Sequence, residues 1–167
     1  MGRDFIGVAR GAMRIAIVLI AAAFSFFLQS QSAEASVEVR IDKSAQRMAV
    51  IVDGVPTYSW AVSTGTGGGP RSGAYRPQRM ERKWFSRKYG MSPMPHAIFF
   101  HEGYAIHGTI YVSRLGQPAS HGCVRLHPSN AATLFGLVQR HGMANTRIEV
   151  GGSTLARHGK RRVANRL

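Results

Sequence analysis

Apolar and polar residues alternate over Val37, Val39 and Ile41, the period-two pattern of a strand with one buried face. A second apolar run, Met48 to Val52, ends at the turn pair Asp53-Gly54. Thr57 to Ser63 follows as its partner, so the two form a hairpin. Gly65 to Pro70 is a glycine-rich loop. Arg71 to Met94 is basic, carries scattered aromatics and has no period, and it reads as a long loop or flap with short strands. Ala97 to Phe100 and Tyr104 to Ile106 are short apolar strands on either side of Glu102-Gly103, and Val124 to Leu126 ends another. One helix is expected. Pro128 suits a first helical position, Ala131, Leu134, Phe135 and Val138 recur at helical spacing, and Gly142 falls just past the end. Thr146 to Val150 is the last strand, and no repeat is present. Many short strands and abundant glycine favour a turn-rich, mainly β structure over a helix bundle.

The two ends of the chain differ from this middle. Arg3, Arg10 and Arg14 precede an apolar run from Ile15 to Leu28, which is interrupted only by Ser25. Its 14 residues fall short of the roughly 20 that span a bilayer, and they suit the core of a signal peptide. Ala33-Glu34-Ala35 supplies the small-x-small cleavage pattern. Residues 1–35 are therefore expected to be a removed signal peptide, the rest being exported to the periplasm without a stable membrane span; an uncleaved anchor is the alternative. From Gly151 onward the chain is small and basic, with Arg157, Lys160, Arg161, Arg162 and Arg166, which predicts a disordered cationic tail over 151–167. The remainder, 36–150, has the size of one domain. The formal net charge is +14, and removal of residues 1–35 leaves +13. In an exported protein that excess suits anionic polymers of the envelope rather than nucleic acid, or serves solubility alone.

The chain has one cysteine, which excludes an intramolecular disulfide and a zinc site with more than one thiolate. A free thiol in an oxidising compartment is a liability, so reactivity explains Cys123 better than packing does. Its surroundings read Ser120-His121-Gly122-Cys123-Val124-Arg125. If this segment is extended, His121, Cys123 and Arg125 point the same way, and two potential cations beside the thiol lower its pKa. Gly122 lets a substrate carbonyl approach closely, and backbone N–H groups near Cys123 suit an oxyanion. A nucleophilic thiol needs a base, and His107 and His121 lie close in sequence. His107 follows a short strand that a neighbouring strand could bring to Cys123. No acidic residue lies between His107 and Cys123, so a backbone carbonyl is the expected orienting partner of the imidazole. Two lookalike motifs fail. His101-Glu102 with His107 has the wrong spacing for a zinc-protease helix, and Gly65 to Pro70 lacks the Gly-Lys-Ser/Thr ending of a phosphate loop. No metal and no cofactor are expected.

His107-Gly108-Thr109, followed by Ser120-His121-Gly122-Cys123-Val124-Arg125, resembles the signature of the L,D-transpeptidases of the YkuD (ErfK/YbiS/YcfS/YnhG) family. Ser63-Thr64-Gly65 resembles the early strand–turn of that family, and Ala97 to Thr109 the strand pair leading to the motif histidine. The resemblance covers Val37 to Val150. One departure is Arg71-Ser72-Gly73-Ala74-Tyr75, where relatives often carry a Thr-Pro-x-Gly turn.

The resemblance implies a YkuD-like sandwich of mixed β-sheets with one packed α-helix. It also implies a peptidoglycan L,D-transpeptidase acting on stem tetrapeptides. Cys123 would attack the diaminopimelate carbonyl, D-Ala would leave, and an amine of a second stem would resolve the thioester into a 3→3 cross-link. Carried over by position, His107 is the base, the Gly108 carbonyl orients it, and His121 supports the thiolate. Arg125, Ser120 and Gly122 lie on the substrate side, with Ser120 bracing the motif. Acylation of Cys123 by carbapenems is expected too. The same acyl-enzyme would serve other acceptors: water, a D-amino acid, or an amine on an envelope protein. A cationic wall-binding protein with an inert thiol is the non-enzymatic alternative. Trp84, Tyr89 and His96 are weaker candidates for the donor groove, and His101 for the site's surroundings.

Overall fold

The computed structural model describes residues 36–152 of the chain. The expected signal peptide lies outside these residues, as does the expected tail apart from its first two residues, of which Gly151 belongs to the last strand rather than to a disordered tail. The chain opens with β1 (Val37–Asp42), β2 (Arg47–Val52) and β3 (Val55–Ala61), continues through β4 (Gly73–Tyr75), β5 (Arg79–Glu81), β6 (Phe85–Ser86) and β7 (Ser92–Pro93), then β8 (Ala97–His101), β9 (Tyr104–Gly108) and β10 (Val124–Leu126), and ends with α1 (Pro128–His141) and β11 (Thr146–Gly151). A five-stranded sheet has the order β3-β2-β1-β11-β4, a four-stranded sheet the order β10-β9-β8-β5, and β6 and β7 pair by themselves. Both larger sheets are mixed: β1 runs parallel to β11 and β9 parallel to β10, while their other pairs are antiparallel. Among the described residues the fold is thus mainly β, with mixed sheets and one long helix.

The first hairpin forms around Asp53-Gly54, but β3 begins at Val55 and stops at Ala61, two residues earlier than the apolar run suggests. The reason lies in the backbone. Ser63 leaves β2 and exchanges hydrogen bonds with Arg125. The Ser63 N–H donates to the Arg125 carbonyl (3.1 Å), and the Ser63 carbonyl accepts from the Arg125 N–H (2.9 Å). The first sheet is thereby tied to β10.

The segment 71–94 is less of a loop than its sequence suggests. β4 adds to the edge of the five-stranded sheet beside β11, and β5 to the edge of the other sheet beside β8. Only β6, a 3₁₀ turn over Arg87–Tyr89 and β7 stand apart, as a small strap.

The apolar faces of β1, β2 and β11 meet α1 and one face of the four-stranded sheet in one core, which includes Val39, Met48, Ile98, Ile106, Leu134 and Ile148. The helix starts at Pro128, with the His127 ring accepting from the Ser129 N–H (3.3 Å), and buries Ala131, Leu134, Phe135, Leu137 and Val138. The four-stranded sheet is covered on both faces. Ile98 and Phe100 of β8 enter the main core, whereas Ala97 and Phe99 join Met94 and Ala105 in a second cluster against Trp84 and Cys123. That explains the unbroken apolar run of β8, which a half-exposed strand would not have.

Candidate active site

The second face of the four-stranded sheet floors a cavity of about 860 Å³. Side chains alternate along a strand, so Ile106 and Val124 point into the core while their neighbours point into the cavity. Parallel pairing sets Arg125 of β10 beside His107 of β9. Cys123 lies one residue before β10, with its thiol near the backbone of Ala105. His107, Cys123, Arg125, Ser120 and His121 all line the cavity.

His107 is 6% exposed. Its Nδ1 lies 2.7 Å from the Gly108 carbonyl oxygen. A carbonyl only accepts, so Nδ1–H donates and Nε2 keeps its lone pair. Burial pushes the ring's pKa down to about 4; the Gly108 carbonyl opposes this, and the Arg125 guanidinium adds to it. The imidazole is therefore neutral and basic at neutral pH. Glycine at 108 has a steric reason: a Cβ there would come within 3.1 Å of Pro95 Cγ and 3.2 Å of Pro128 Cα.

The thiol differs from the sequence expectation. Residues 121–123 are bent rather than extended, and β10 begins only at Val124. Burial pushes the Cys123 pKa up, against the lowering influence of the Ala105 backbone and Arg125. His121 takes no part in this. It is exposed, and its ring stacks on Tyr89 of the strap (4.5 Å between centroids, 14° between planes). The resting site thus pairs a neutral thiol with a neutral imidazole, and no hydrogen bond joins the two side chains among the described residues. Catalytic contacts of this kind often tighten only when substrate binds.

Gly122 also departs from expectation. Its φ is +138°, and a Cβ there would lie 2.2 Å from Tyr104 Cε1. The space over Gly122 is thus filled by the Tyr104 ring, not left open to a substrate carbonyl, and Gly122 is not among the cavity-lining residues. Its N–H donates to Ser120 Oγ (3.0 Å), and Ser120 Oγ donates to the Cys123 carbonyl (2.6 Å). Ser120 therefore braces the Cys123 loop, its hydroxyl engaged within the protein. The Cys123 N–H makes no hydrogen bond among the described residues. Arg125 donates to the Ala119 carbonyl (3.0 Å) and lies over the Tyr111 ring (5.7 Å).

A brace that sequence reasoning missed reaches this loop from the first sheet. Gln46 is 3% exposed. Its Nε2 donates to Thr64 Oγ1 (2.7 Å) and the Lys43 carbonyl (2.6 Å), and its Oε1 accepts from the Thr64 N–H (2.9 Å). The Thr64 carbonyl accepts from the N–H groups of Ala119 and Ser120 (3.0 Å each). A lone Gln between two strands gives no sequence signal for this role.

Of the weaker candidates, Trp84 and Tyr89 line the cavity, and His96 and His101 do not. His96 packs edge-on against Phe135 (5.5 Å), with its Nδ1 buried and unpaired, and burial lowers its pKa. His101 lies against Tyr75 (5.0 Å). Among the described residues no group of three or more His, Cys, Asp or Glu side chains is placed to hold a metal ion.

Residues 36–152 match the family model of the YkuD L,D-transpeptidase catalytic domain. An L,D-transpeptidase from Stackebrandtia nassauensis is similar at 27% identity and a TM-score of 0.62, over 74% of this chain and 59% of that one. An L,D-transpeptidase from Mycobacterium smegmatis is similar at 25% identity and a TM-score of 0.60, over 71% and 59%. An L,D-transpeptidase solved in complex with imipenem shares the fold at 24% identity and a TM-score of 0.60, over 70% and 59%. The chain thus spans 59% of the length of these solved relatives. No curated protein matches it. With the match running through both His107 on β9 and Cys123 just before β10, the chain belongs to the YkuD family of L,D-transpeptidase catalytic domains.

Proposed function

We propose that this protein is a peptidoglycan L,D-transpeptidase that works through a thioester on Cys123. The observation that carries the reading is the His107 ring, whose Nδ1 is held by the Gly108 carbonyl and which lines the same cavity as Cys123. With thiol and imidazole both neutral at rest, the proton passes from Sγ to Nε2 as sulfur attacks the diaminopimelate carbonyl of a stem tetrapeptide. The unpaired Cys123 N–H is the backbone donor left for the oxyanion, since the Gly122 N–H is held by Ser120. The imidazolium returns its proton to the departing D-Ala amine. The amine of a second stem then attacks the thioester and gives its proton to His107, closing a 3→3 cross-link and freeing the thiol. Arg125 lies close enough to steady charge at both groups, as its influence on their pKa values indicates. His121 and Tyr89 join the nucleophile loop to the strap.

Export to the periplasm, where peptidoglycan is found, follows from the charged and apolar pattern of residues 1–35 and belongs to the same proposal. Among the described residues no helix is long and apolar enough to cross a membrane.

Intact mass spectrometry after incubation with imipenem tests the reading, alongside D-Ala release from a tetrapeptide. A one-to-one adduct and D-Ala release, both lost in Cys123→Ala, are expected. Activity retained in that variant would end the proposal.

A further inference from the structure

The cavity over Cys123 holds positive charge that the chemistry at sulfur does not use. Between Arg71 and Lys88 the chain places seven Lys and Arg residues against one carboxylate, Glu81. From this strap Arg87 and Lys88 reach the cavity, and Arg114 also lines it. Among the described residues none of these three is within ion-pair distance of a carboxylate. Arg79 also lines the cavity, but it is paired with Glu81 (3.0 Å) and lies over the Trp84 and Phe99 rings. The only lining carboxylate, Glu102, is 3.5 Å from His101. In the first sheet Arg40 pairs with Glu38 and Arg147 with Glu149, while Arg47 is hydrogen-bonded to Ser59. One exposed cation attracts weakly, but several around a half-enclosed groove reinforce one another.

Resting on the L,D-transpeptidase reading, we propose that the cavity selects donor peptides by their free carboxylates. Arg87 and Lys88 on the strap, together with Arg114, hold the non-reacting carboxylates of the stem, and a donor with those groups as amides is a poor substrate. An amide keeps the shape of the carboxyl group but loses the charge, and the charge-assisted hydrogen bond is the strong one.

Two synthetic tetrapeptides test this, identical except that one carries its non-reacting side carboxyls as amides. Thioester formation on the purified full chain is followed by intact mass over time. The free-carboxylate donor is expected to acylate Cys123 about tenfold faster. The ratio should shrink as salt rises, and it should fall to about threefold or less in R87Q/K88Q, in line with a weakened charge-assisted contact. Equal rates for the two donors, or a ratio that R87Q/K88Q leaves unchanged, overturn the proposal. If the free donor and imipenem still acylate Cys123 in that case, the transpeptidase reading survives. If neither donor acylates, both fall together. Vesicles containing anionic phospholipid provide the contrasting arm: binding lost in R87Q/K88Q with the donor ratio intact would assign these charges to a lipid surface and also overturn the proposal.

Discussion

The two faces of the four-stranded sheet are built from adjacent residues of the same short strands, yet they do opposite work. One face presents Ile98, Phe100, Ile106, Val124 and Leu126 to the helix and the larger sheet, and all five are essentially inaccessible. The other holds Ala97 and Ala105 in the second apolar cluster and presents Phe99, His107 and the preceding Cys123 to the cavity. Ile106 and His107 are neighbours in sequence and lie on opposite sides. The core face needs only shape and apolarity. The cavity face carries a thiol and an imidazole, and it borrows its low polarity from the second cluster beside them. The same burial that stabilises a hydrocarbon side chain drives the Cys123 thiol up and the His107 imidazole down, so both rest uncharged.

The largest expected effect separates the faces outright. Cys123→Ala abolishes thioester formation, and the melting temperature stays within a few degrees of the parent because the change is small and at the cavity's edge. Ile106→Ala leaves every reactive group in place but opens a void in the core, which costs about 2–5 kcal/mol. Thermal melts and acylation assays on both variants check this. A large loss of stability in Cys123→Ala, or none in Ile106→Ala, would break the division between the faces.

The next effect concerns His107 and pH. An imidazole near its usual pKa of about 6.5 would lose activity below pH 6. One held at about 4 stays neutral further down, so the acid limb of acylation is expected near pH 4. Stability follows the same linkage. Between these values the unfolded chain binds a proton that the folded protein refuses. Stability therefore falls as pH drops from about 6.5 to 4, by about 3 kcal/mol in all, and has no such dependence above 6.5. Replacing His107 with Gln should flatten that part of the stability curve, as read by denaturant titrations at several pH values. An acid limb at pH 6.5 would show that the ring is wetter than its burial implies.

These contrasts also indicate how much of the molecule could be read from its sequence. β1, β2, β11 and α1 were legible because each has enough residues for a period to show, and each buries one face. β4 and β5 were not, because a three-residue edge strand has no period and exists only where a sheet edge receives it. Cys123 and His107 stood out as candidate chemistry, since a lone thiol near a histidine in a chain expected to be exported is seldom there for packing alone. Their charge states did not, because burial is a tertiary property. The expected partnership of His121 with the thiol failed for the same kind of reason: a bend at Gly122 and the Tyr89 ring decide where His121 goes. Tyr104 and Gln46 were invisible, since each acts through contacts made far along the chain.

Gln46 provides the smallest and most discriminating test, because it sits in the first sheet and reaches the cavity face only through Thr64 and Ser120. Gln46→Leu removes the partners of the Thr64 hydroxyl and N–H in a buried position, a loss of about 2 kcal/mol. If the amide is only structural, the melting temperature drops and the rate constant for imipenem acylation is unchanged well below it. If it positions the nucleophile loop, the acylation rate falls at 25 °C, where the variant is still fully folded, while Ile106→Ala at comparable or greater destabilisation keeps its rate. A matched fall in both variants would mean that the cavity face responds to global stability alone, and that the chain of hydrogen bonds from the first sheet carries no separate influence on the thiol.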